Sequence, residues 1–175
     1  TEDDFYLKRE RDCTPQTKIY GPRSGGAENF VRFFENELIP YINRHFRTIP
    51  EDRTIVGHSI GGFFATYVLL KHPGLFTKYL IISPSLWYAN ELIFEYEKEF
   101  FEMNKTLNAA VFLSTGKDES EQMVRTTEKM IRTITDRKYA GLRFSSLMPE
   151  GEHHRSLFPF AFTKGLQWLF KKEVE

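Results

Sequence analysis

The sequence has few of the features that would crosslink a protein, charge it or embed it in a membrane. Cys13 is the single cysteine among 175 residues, so no disulfide can form within the chain, and neither the cytoplasm nor the periplasm is excluded as its compartment. Lysine plus arginine equal aspartate plus glutamate, at 24 each, so no net field attracts nucleic acid or an anionic membrane. The longest apolar run, Phe63 to Leu70, is far shorter than a bilayer-spanning segment of about 20 residues. We therefore expect neither a nucleic-acid partner nor a membrane partner.

Motifs that would hold a cofactor are also missing. The glycine-rich segment from Gly21 to Gly26 lacks the Gly-Lys-Ser/Thr ending of a phosphate-binding loop. The pair His153-His154 lacks the His-Glu-x-x-His spacing that places two zinc ligands on one face of a helix. The sequence thus predicts no metal site and no cofactor.

Apolar residues, in contrast, are plentiful. Hydrophobic residues make up 41% of the chain and aromatic residues 15%, which is enough for the core of one domain over residues 1–175. Their spacing predicts an α/β fold, with a mostly parallel sheet flanked by helices. The predicted strands are the elbow strand before Gly57, Tyr79 to Ser83, Asn108 to Thr115 and Leu142 to Met148; the predicted helices are Ala27 to Phe46, Phe63 to Leu70, Asn90 to Met103 (a helix or a lid), Ser120 to Asp136 and Ser156 to Lys171.

The most informative stretch is Gly57-His58-Ser59-Ile60-Gly61, a G-x-S-x-G pattern between an apolar strand and an apolar helix. A nucleophilic serine needs this layout, because a sharp strand-to-helix turn lifts its Oγ above the sheet. Glycines at positions 57 and 61 would let neighbouring backbone pack against so tight a turn. The following helix would aim its first N–H groups at a developing oxyanion. The alternative is a turn whose serine only caps the helix.

A nucleophilic serine needs a histidine base, and the base needs an orienting carboxylate. Hydrolases with this turn carry them in the order serine, acid, histidine. The strand ending at Thr115 is followed by Asp118-Glu119, and the strand ending at Met148 is followed by His153-His154. Because the carboxyl ends of parallel strands meet at one edge of a sheet, both pairs are expected beside Ser59.

Each of these residues also has a simpler interpretation. Asp118 is well placed to cap the helix beginning near Ser120, and a histidine pair in a loop is more often solvated than catalytic. The other histidines are expected in structural places: His45 on a helix surface, His72 at a helix C-terminus, and His58 packed under the turn.

From Arg9 to Phe170 the chain resembles the putative-esterase branch of the α/β-hydrolases, most of all the siderophore trilactone (enterobactin-type) esterases. The resemblance rests on several motifs spread over the chain. They are Arg9 to Pro15 (R-x-x-D-x-T-P), Gly25-Gly26-Ala27 followed by Phe30 and Phe33, Gly57 to Phe63, Ser83-Pro84-Ser85-Leu86-Trp87, and Gly151 to Ser156 followed by Gly165-Leu166.

The resemblance implies specific roles. By analogy with the family's G-x-x-[DE] motif the acid is Glu119, and by analogy with x-H-x-S the base is His154. The Ile60 backbone N–H would bind the oxyanion. Arg9 would meet a polar group of the substrate, the alternative being a surface ion pair. Trp87 would line the substrate pocket, although a core tryptophan is as good an interpretation.

The family fold also has an N-terminal half that does not match here, with several strands, a crossover helix and the loop that supplies a second oxyanion N–H. At about 30 residues per strand–helix unit, roughly 100 residues are expected to be missing. The elbow strand is central in such a sheet, so its outer edge would be bare. We therefore expect pairing with the missing part or with another copy.

Together these features predict a serine esterase that works through an acyl-enzyme on a small-molecule ester, with siderophore-type lactones as the substrate class that the resemblance implies. The same turn also serves feruloyl and acetyl-carbohydrate esterases, S-formylglutathione hydrolases and acyltransferases. A non-catalytic or partner-dependent fragment of a hydrolase is the alternative from another class.

Overall fold

The computed structural model describes residues 2–15 and 24–171 of the chain. Of the glycine-rich segment considered as a phosphate loop, residues 21–23 lie outside that part. The elements in chain order are α1 Glu2–Cys13, α2 Ala27–Phe33, a π-helical turn Phe34–Leu38, α3 Ile39–His45, β1 Thr54–His58, α4 Ile60–Lys71, β2 Lys78–Ile82, α5 Tyr88–Met103, β3 Thr106–Ser114, α6 Glu121–Arg137, β4 Ala140–Leu147 and α7 Leu157–Leu169.

The four strands form one parallel sheet in the order β1-β2-β3-β4. Their last residues are aligned in register: His58 pairs with Ile82, Ile82 with Ser114, and Ser114 with Leu147. The four loops that follow the strands therefore begin at the same edge of the sheet. This confirms the predicted α/β class with a mostly parallel sheet flanked by helices.

Alternation along β2 shows how the two faces of the sheet are covered. Tyr79 and Ile81 point into a large core shared with α2, α4, α5 and α6, while Leu80 and Ile82 pack with residues of α7 on the opposite face. All four side chains are at most 2% exposed, as expected for a strand buried on both faces. The sheet is thus held between helices on both sides.

The predicted helix from Ala27 to Phe46 forms, but not as a regular α-helix. Its middle part, Phe34–Leu38, is π-helical, directly before Pro40 in the first turn of α3. A proline cannot donate the usual i→i−4 hydrogen bond, so the helix changes its winding where that bond would be missing.

The start of α5 is the other irregular segment. Ala89, Asn90 and Glu91 have φ values of 52°, 56° and 64°, so three consecutive non-glycine residues are left-handed. The Glu91 carboxylate is held by Arg125 and Lys129 of α6, each at 2.6 Å, which stabilises this strained turn. The rest of α5 buries Ile93 and Phe100 in the core, so it forms a wall of the core and not a lid.

Within residues 2–15 and 24–171, β1 pairs with β2 alone, and Val56 on this strand is 40% exposed. No helix of the described part is both long and apolar enough to cross a bilayer.

Candidate active site

Ser59 occupies a strained turn between β1 and α4. Its φ of 61° and ψ of −122° lie in a region that non-glycine residues seldom adopt, and such strain clusters at functional sites. Main-chain hydrogen bonds fix the turn: Ser59 N–H donates to Ile82 O (3.1 Å), and Ser85 N–H donates to Ser59 O (3.0 Å). The Ser59 side chain makes no capping hydrogen bond to α4. The interpretation of Ser59 as a simple helix cap is therefore wrong.

Gly57 and Gly61 have different roles in this turn. A Cβ on Gly57 would lie 2.1 Å from the carbonyl oxygen of Gly61, so only glycine fits at position 57. A Cβ on Gly61 would meet no atom of the described residues within 4 Å. The prediction that both glycines are needed for close backbone packing is right for Gly57 and wrong for Gly61.

Ile60 is the first residue of α4. The first N–H groups of a helix have no partner in a preceding turn, and the helix dipole favours negative charge beside them. The Ile60 N–H directly follows Ser59, which is where an oxyanion formed at Ser59 would need a donor.

Glu119 and His154 are joined by a hydrogen bond between the loops after β3 and β4. His154 Nδ1 donates to Glu119 Oε2 over 2.7 Å. The Glu119 side chain is fully buried, whereas the His154 side chain is 38% exposed. A buried carboxylate thus orients an accessible imidazole, and Nδ1–H as the donor leaves Nε2 free to accept a proton.

The surroundings of Glu119 favour its ionised form. Burial opposes ionisation, but hydrogen bonds from His154, Ser83 and the Gly116 N–H outweigh it and hold the pKa of the carboxyl below its ordinary value of 4.5. Glu119 therefore stays negative at neutral pH, as an acid that stabilises an imidazolium must.

Asp118 and His153 are placed differently from their neighbours. The Asp118 main-chain carbonyl accepts a hydrogen bond from His153 Nδ1 over 3.0 Å, a contact that ties the two loops together. The Asp118 side chain makes no hydrogen bond or ion pair with a described residue, and Ser120, not Asp118, is the N-cap of α6. The capping interpretation of Asp118 is thus wrong, and Glu119 is the carboxylate that reaches a histidine.

Ser83, directly after β2, is a contact of Glu119 that the sequence analysis did not predict. Its hydroxyl donates to Glu119 Oε1 over 2.6 Å, and the Gly116 N–H donates to the same oxygen over 2.9 Å. Ser83 is fully buried and has a φ of 44°. The only signal in the sequence was its place in the Ser83 to Trp87 motif.

His58 does not simply pack under the turn. Its Nε2 lies 2.9 Å from the main-chain oxygen of His154, and the centroids of the two imidazole rings are 4.5 Å apart. The two remaining histidines lie as predicted. His45 is exposed on α3, and His72 follows the last residue of α4, where its Nε2 lies 3.0 Å from Glu28 Oε2.

Arg9 contacts the residue before Ser59, and Trp87 follows closely after a residue that is hydrogen-bonded to Ser59. One Arg9 Nη2–H reaches the main-chain oxygen of His58 at 3.5 Å, and no surface ion pair of Arg9 occurs among the described residues. Trp87 is half-buried, two residues after Ser85, whose N–H binds Ser59.

Cys13 contacts the core, and burial raises the pKa of its thiol to about 11.

No metal centre accompanies this site in the described part of the chain, and a groove lies elsewhere on the molecule. Residues 2–15 and 24–171 contain no group of three or more His, Cys, Asp or Glu side chains that could hold a metal ion. A groove of about 450 Å³ lies at the other end of β1, where Thr54, Phe34 and Ile42 line it. That groove is remote from Ser59.

Comparison with known proteins identifies a family and several relatives for this chain. The family described as "Putative esterase" matches residues 2–169. The ferri-bacillibactin esterase BesA of Bacillus subtilis is 30% identical over 183 residues, which cover 96% of this chain and 63% of BesA. The siderophore triacetylfusarinine C esterase of Aspergillus fumigatus is 27% identical over 94% of this chain and 65% of its own length.

A solved structure agrees with these sequence relatives. The crystal structure of the BES protein from Bacillus cereus superposes with a TM-score of 0.84 at 34% identity, over 94% of this chain and 64% of that one. The chain therefore spans just under two thirds of the length of the relatives it matches, at 63–65%. With an α/β-hydrolase fold and a family match over nearly its whole length, the chain belongs to the putative-esterase family.

Proposed function

We propose that the protein hydrolyses carboxylic esters, with Ser59 as nucleophile, His154 as general base and Glu119 as the orienting acid. The observation that carries this proposal is the strained Ser59 turn at the same sheet edge as a buried carboxylate bound to an accessible histidine. An inert serine would have no need of a backbone conformation that costs about 1–3 kcal/mol.

The reaction proceeds in two steps. Ser59 Oγ attacks the ester carbonyl and gives its proton to His154 Nε2, while Glu119 Oε2 stabilises the imidazolium through Nδ1–H. His154 then protonates the leaving alcohol, which departs and leaves an acyl group on Ser59. Water then attacks the acyl carbonyl and gives a proton to His154. The bond to Ser59 Oγ breaks, the carboxylic acid leaves, and His154 returns the proton to Ser59 Oγ.

Ser59 Oγ makes no hydrogen bond to a described residue, and His154 Nε2 is not bonded to it. Hydrogen bonds between nucleophile and base are often long without substrate and tighten when substrate binds. The Ile60 N–H would receive the oxyanion, and one such donor is typically worth about 2.7–4 kcal/mol of transition-state stabilisation.

For the substrate we propose a siderophore-type lactone. The support comes from two of the relatives, a ferri-bacillibactin esterase and a triacetylfusarinine C esterase. Arg9, near the His58 carbonyl, is our candidate for a polar substrate group, and half-buried Trp87 is our candidate for the pocket wall.

The direct test is labelling with a fluorophosphonate probe, alongside hydrolysis of p-nitrophenyl butyrate. Ser59→Ala should abolish labelling and lower hydrolysis by at least about 10³-fold. Ser146→Ala is the matched control, because Ser146 is an exposed serine on β4 and its loss should change neither rate. Folded wild-type protein that fails to label, or labelling that survives in Ser59→Ala, would overturn the proposal.

A panel of esters then separates the substrate classes. Trilactone siderophores, feruloyl esters, acetylated sugars and S-formylglutathione differ in the acyl group that must fit beside Ser59. A kcat/KM at least tenfold higher for the trilactones would support the proposed substrate. A preference for one of the other esters would replace it.

A hydrolase that depends on a partner is the second candidate, and one feature of the sheet favours it. Among the described residues β1 has a partner on one side only. A second copy or a further segment that adds a strand there would complete the sheet, since unpaired edges invite such pairing. Activity per molecule that rises with protein concentration, together with dimers in sedimentation, would support this candidate; constant activity of a monomer would exclude it.

A further inference from the structure

The residue before the nucleophile contacts the residue proposed as the base. His58 ends β1, and its Nε2 lies 2.9 Å from the main-chain oxygen of His154, which is 96 residues away in the sequence. A carbonyl oxygen can only accept, so Nε2 carries the hydrogen and His58 is the donor. The bond ties the strand that holds Ser59 to the loop that holds His154.

The rings of the two histidines are also in contact. Their centroids are 4.5 Å apart at an angle of 34°, and the Phe158 ring packs edge-on against His58 at 5.4 Å. His58 pairs in register with Ile82, whose side chain belongs to the α7 face of the sheet. The His58 ring thus fills the space between β1, His154 and the start of α7.

The same packing keeps His58 neutral. Burial disfavours its charged form and lowers the pKa of His58 below the ordinary 6.5, although the hydrogen bond to His154 partly opposes this. A neutral ring beside His154 does not repel the imidazolium that forms when the base takes a proton.

We propose that His58 is a positioning residue, which holds the main chain and ring of His154 in line with Ser59. This proposal rests on the proposed function, because it assigns His58 a task in the same site. His58 is the last residue of β1 and directly precedes the nucleophile, so a movement of the turn at Ser59 is passed on to the base. The two reacting groups therefore keep their separation although they lie on different loops.

Three variants separate the hydrogen bond from the ring. His58→Gln keeps an N–H donor close to the position of Nε2 but has no ring, His58→Phe keeps a ring but has no donor, and His58→Leu has neither. If the hydrogen bond positions His154, kcat should fall less than threefold in His58→Gln and at least tenfold in the other two, with KM little changed. His45→Phe is the control, because His45 Nδ1 also bonds a main-chain oxygen, that of Tyr41, on the exposed surface of α3.

Hydrogen exchange gives a second readout that needs no activity. Loss of the donor should speed exchange in residues 150–157, which include the Leu157 N–H bonded to His153 O, and leave β3 unchanged. Faster exchange there together with the tenfold loss in kcat supports the proposal. Unchanged exchange in His58→Phe, or faster exchange throughout the chain, would overturn it, as would faster local exchange with an unchanged kcat. A wild-type protein without esterase activity would overturn the proposed function instead, and the exchange data would still decide whether His58 holds the loop.

Discussion

Ser83 donates its hydroxyl hydrogen to Glu119 over 2.6 Å, and this bond joins the end of β2 to the loop after β3. The Gly116 N–H donates to the same carboxylate oxygen, Oε1, so Oε2 is left for His154. One oxygen of the carboxylate is therefore fixed by the scaffold while the other orients the imidazole. Hydrogen bonds to a charged group are stronger than those between neutral groups, so Ser83 should strongly influence where Glu119 points.

We expect Ser83→Ala to lower kcat about tenfold and to leave KM nearly unchanged. The hydroxyl is lost from a fully buried position, and a hydrogen bond to a charged group contributes about 1.5–3 kcal/mol. Alanine suits the positive φ no better than serine, so the backbone gains nothing from the change. Steady-state kinetics with p-nitrophenyl butyrate would measure the effect.

Ser85→Ala is the matched control, since Ser85 is also buried but its described hydrogen bond to Ser59 comes from the main chain. A double-mutant cycle with Glu119→Gln tests the route of the effect. If Ser83 acts through Glu119, Ser83→Ala should have little further effect on kcat in the Glu119→Gln background. An equal loss in both backgrounds would contradict this route.

The choice between the two neighbouring acids can be tested in the same assay. Glu119→Gln removes the charge beside His154 and can present the wrong hydrogen-bonding group to Nδ1, so we expect kcat to fall about 10²–10⁴-fold. Asp118→Asn should cost less than threefold, because only the main chain of Asp118 contacts a histidine. A larger loss in Asp118→Asn than in Glu119→Gln would reverse the assignment.

The parts of this site that sequence could predict are those fixed locally. The turn at Ser59 needs glycine at position 57, and the strands Lys78–Ile82 and Thr106–Ser114 each contain an apolar run, Tyr79 to Ile82 and Ala109 to Leu113. Because parallel strands end at one edge, their order along the chain placed the acid and histidine pairs near Ser59. The resemblance to a family, not the spacing, selected Glu119 within its pair.

The parts that sequence could not predict depend on contacts between distant loops. Ser83 and Glu119 are 36 residues apart, and His58 and His154 are 96 apart, so neither bond leaves a local pattern. The left-handed turn at the start of α5 depends likewise on Glu91 reaching two cations of α6. Gly61 matches the motif, but only the structure shows that a side chain at this position would extend into open space.

The ionisation of Glu119 should also make the protein sensitive to acid. The pKa of the Glu119 carboxyl is lowered in the folded state. The ionised carboxyl therefore contributes fully to the free energy of unfolding above the ordinary pKa of 4.5, and this contribution is lost as the pH falls through the lower pKa of the folded state. Denaturant unfolding of wild type and Glu119→Gln should therefore give free energies whose difference is full at about pH 6 and narrows as the pH falls below the ordinary value of 4.5. Glu35→Gln, on an exposed carboxylate of the π-helical turn, is the control for the loss of one charge. A gap that stays constant over this range would show that Glu119 is not stabilised as its anion.

The two glycines of the turn give the sharpest comparison. The extra methyl in Gly57→Ala would lie 2.1 Å from the Gly61 carbonyl oxygen, and the nearby atoms all belong to the main chain, so only a shift of the turn can make room. We expect the free energy of unfolding to fall by about 3 kcal/mol and labelling of Ser59 to be lost with it.

Gly61→Ala adds the same methyl group to open space in the first turn of α4. Alanine is favoured over glycine inside a helix by about 0.8–1 kcal/mol, so this variant should be as stable as the wild type or slightly more stable. The denaturant midpoints of Gly57→Ala and Gly61→Ala, measured side by side, would show which of the two glycines the turn requires. Equal midpoints would mean that the turn can relax around an alanine at position 57. Other contacts would then have to maintain the strained backbone of Ser59. Candidates are the hydrogen bonds from Ser59 N–H to Ile82 O and from Ser85 N–H to Ser59 O. A large loss confined to Gly57→Ala would instead show that the approach of Gly57 to Gly61 holds the nucleophile in place.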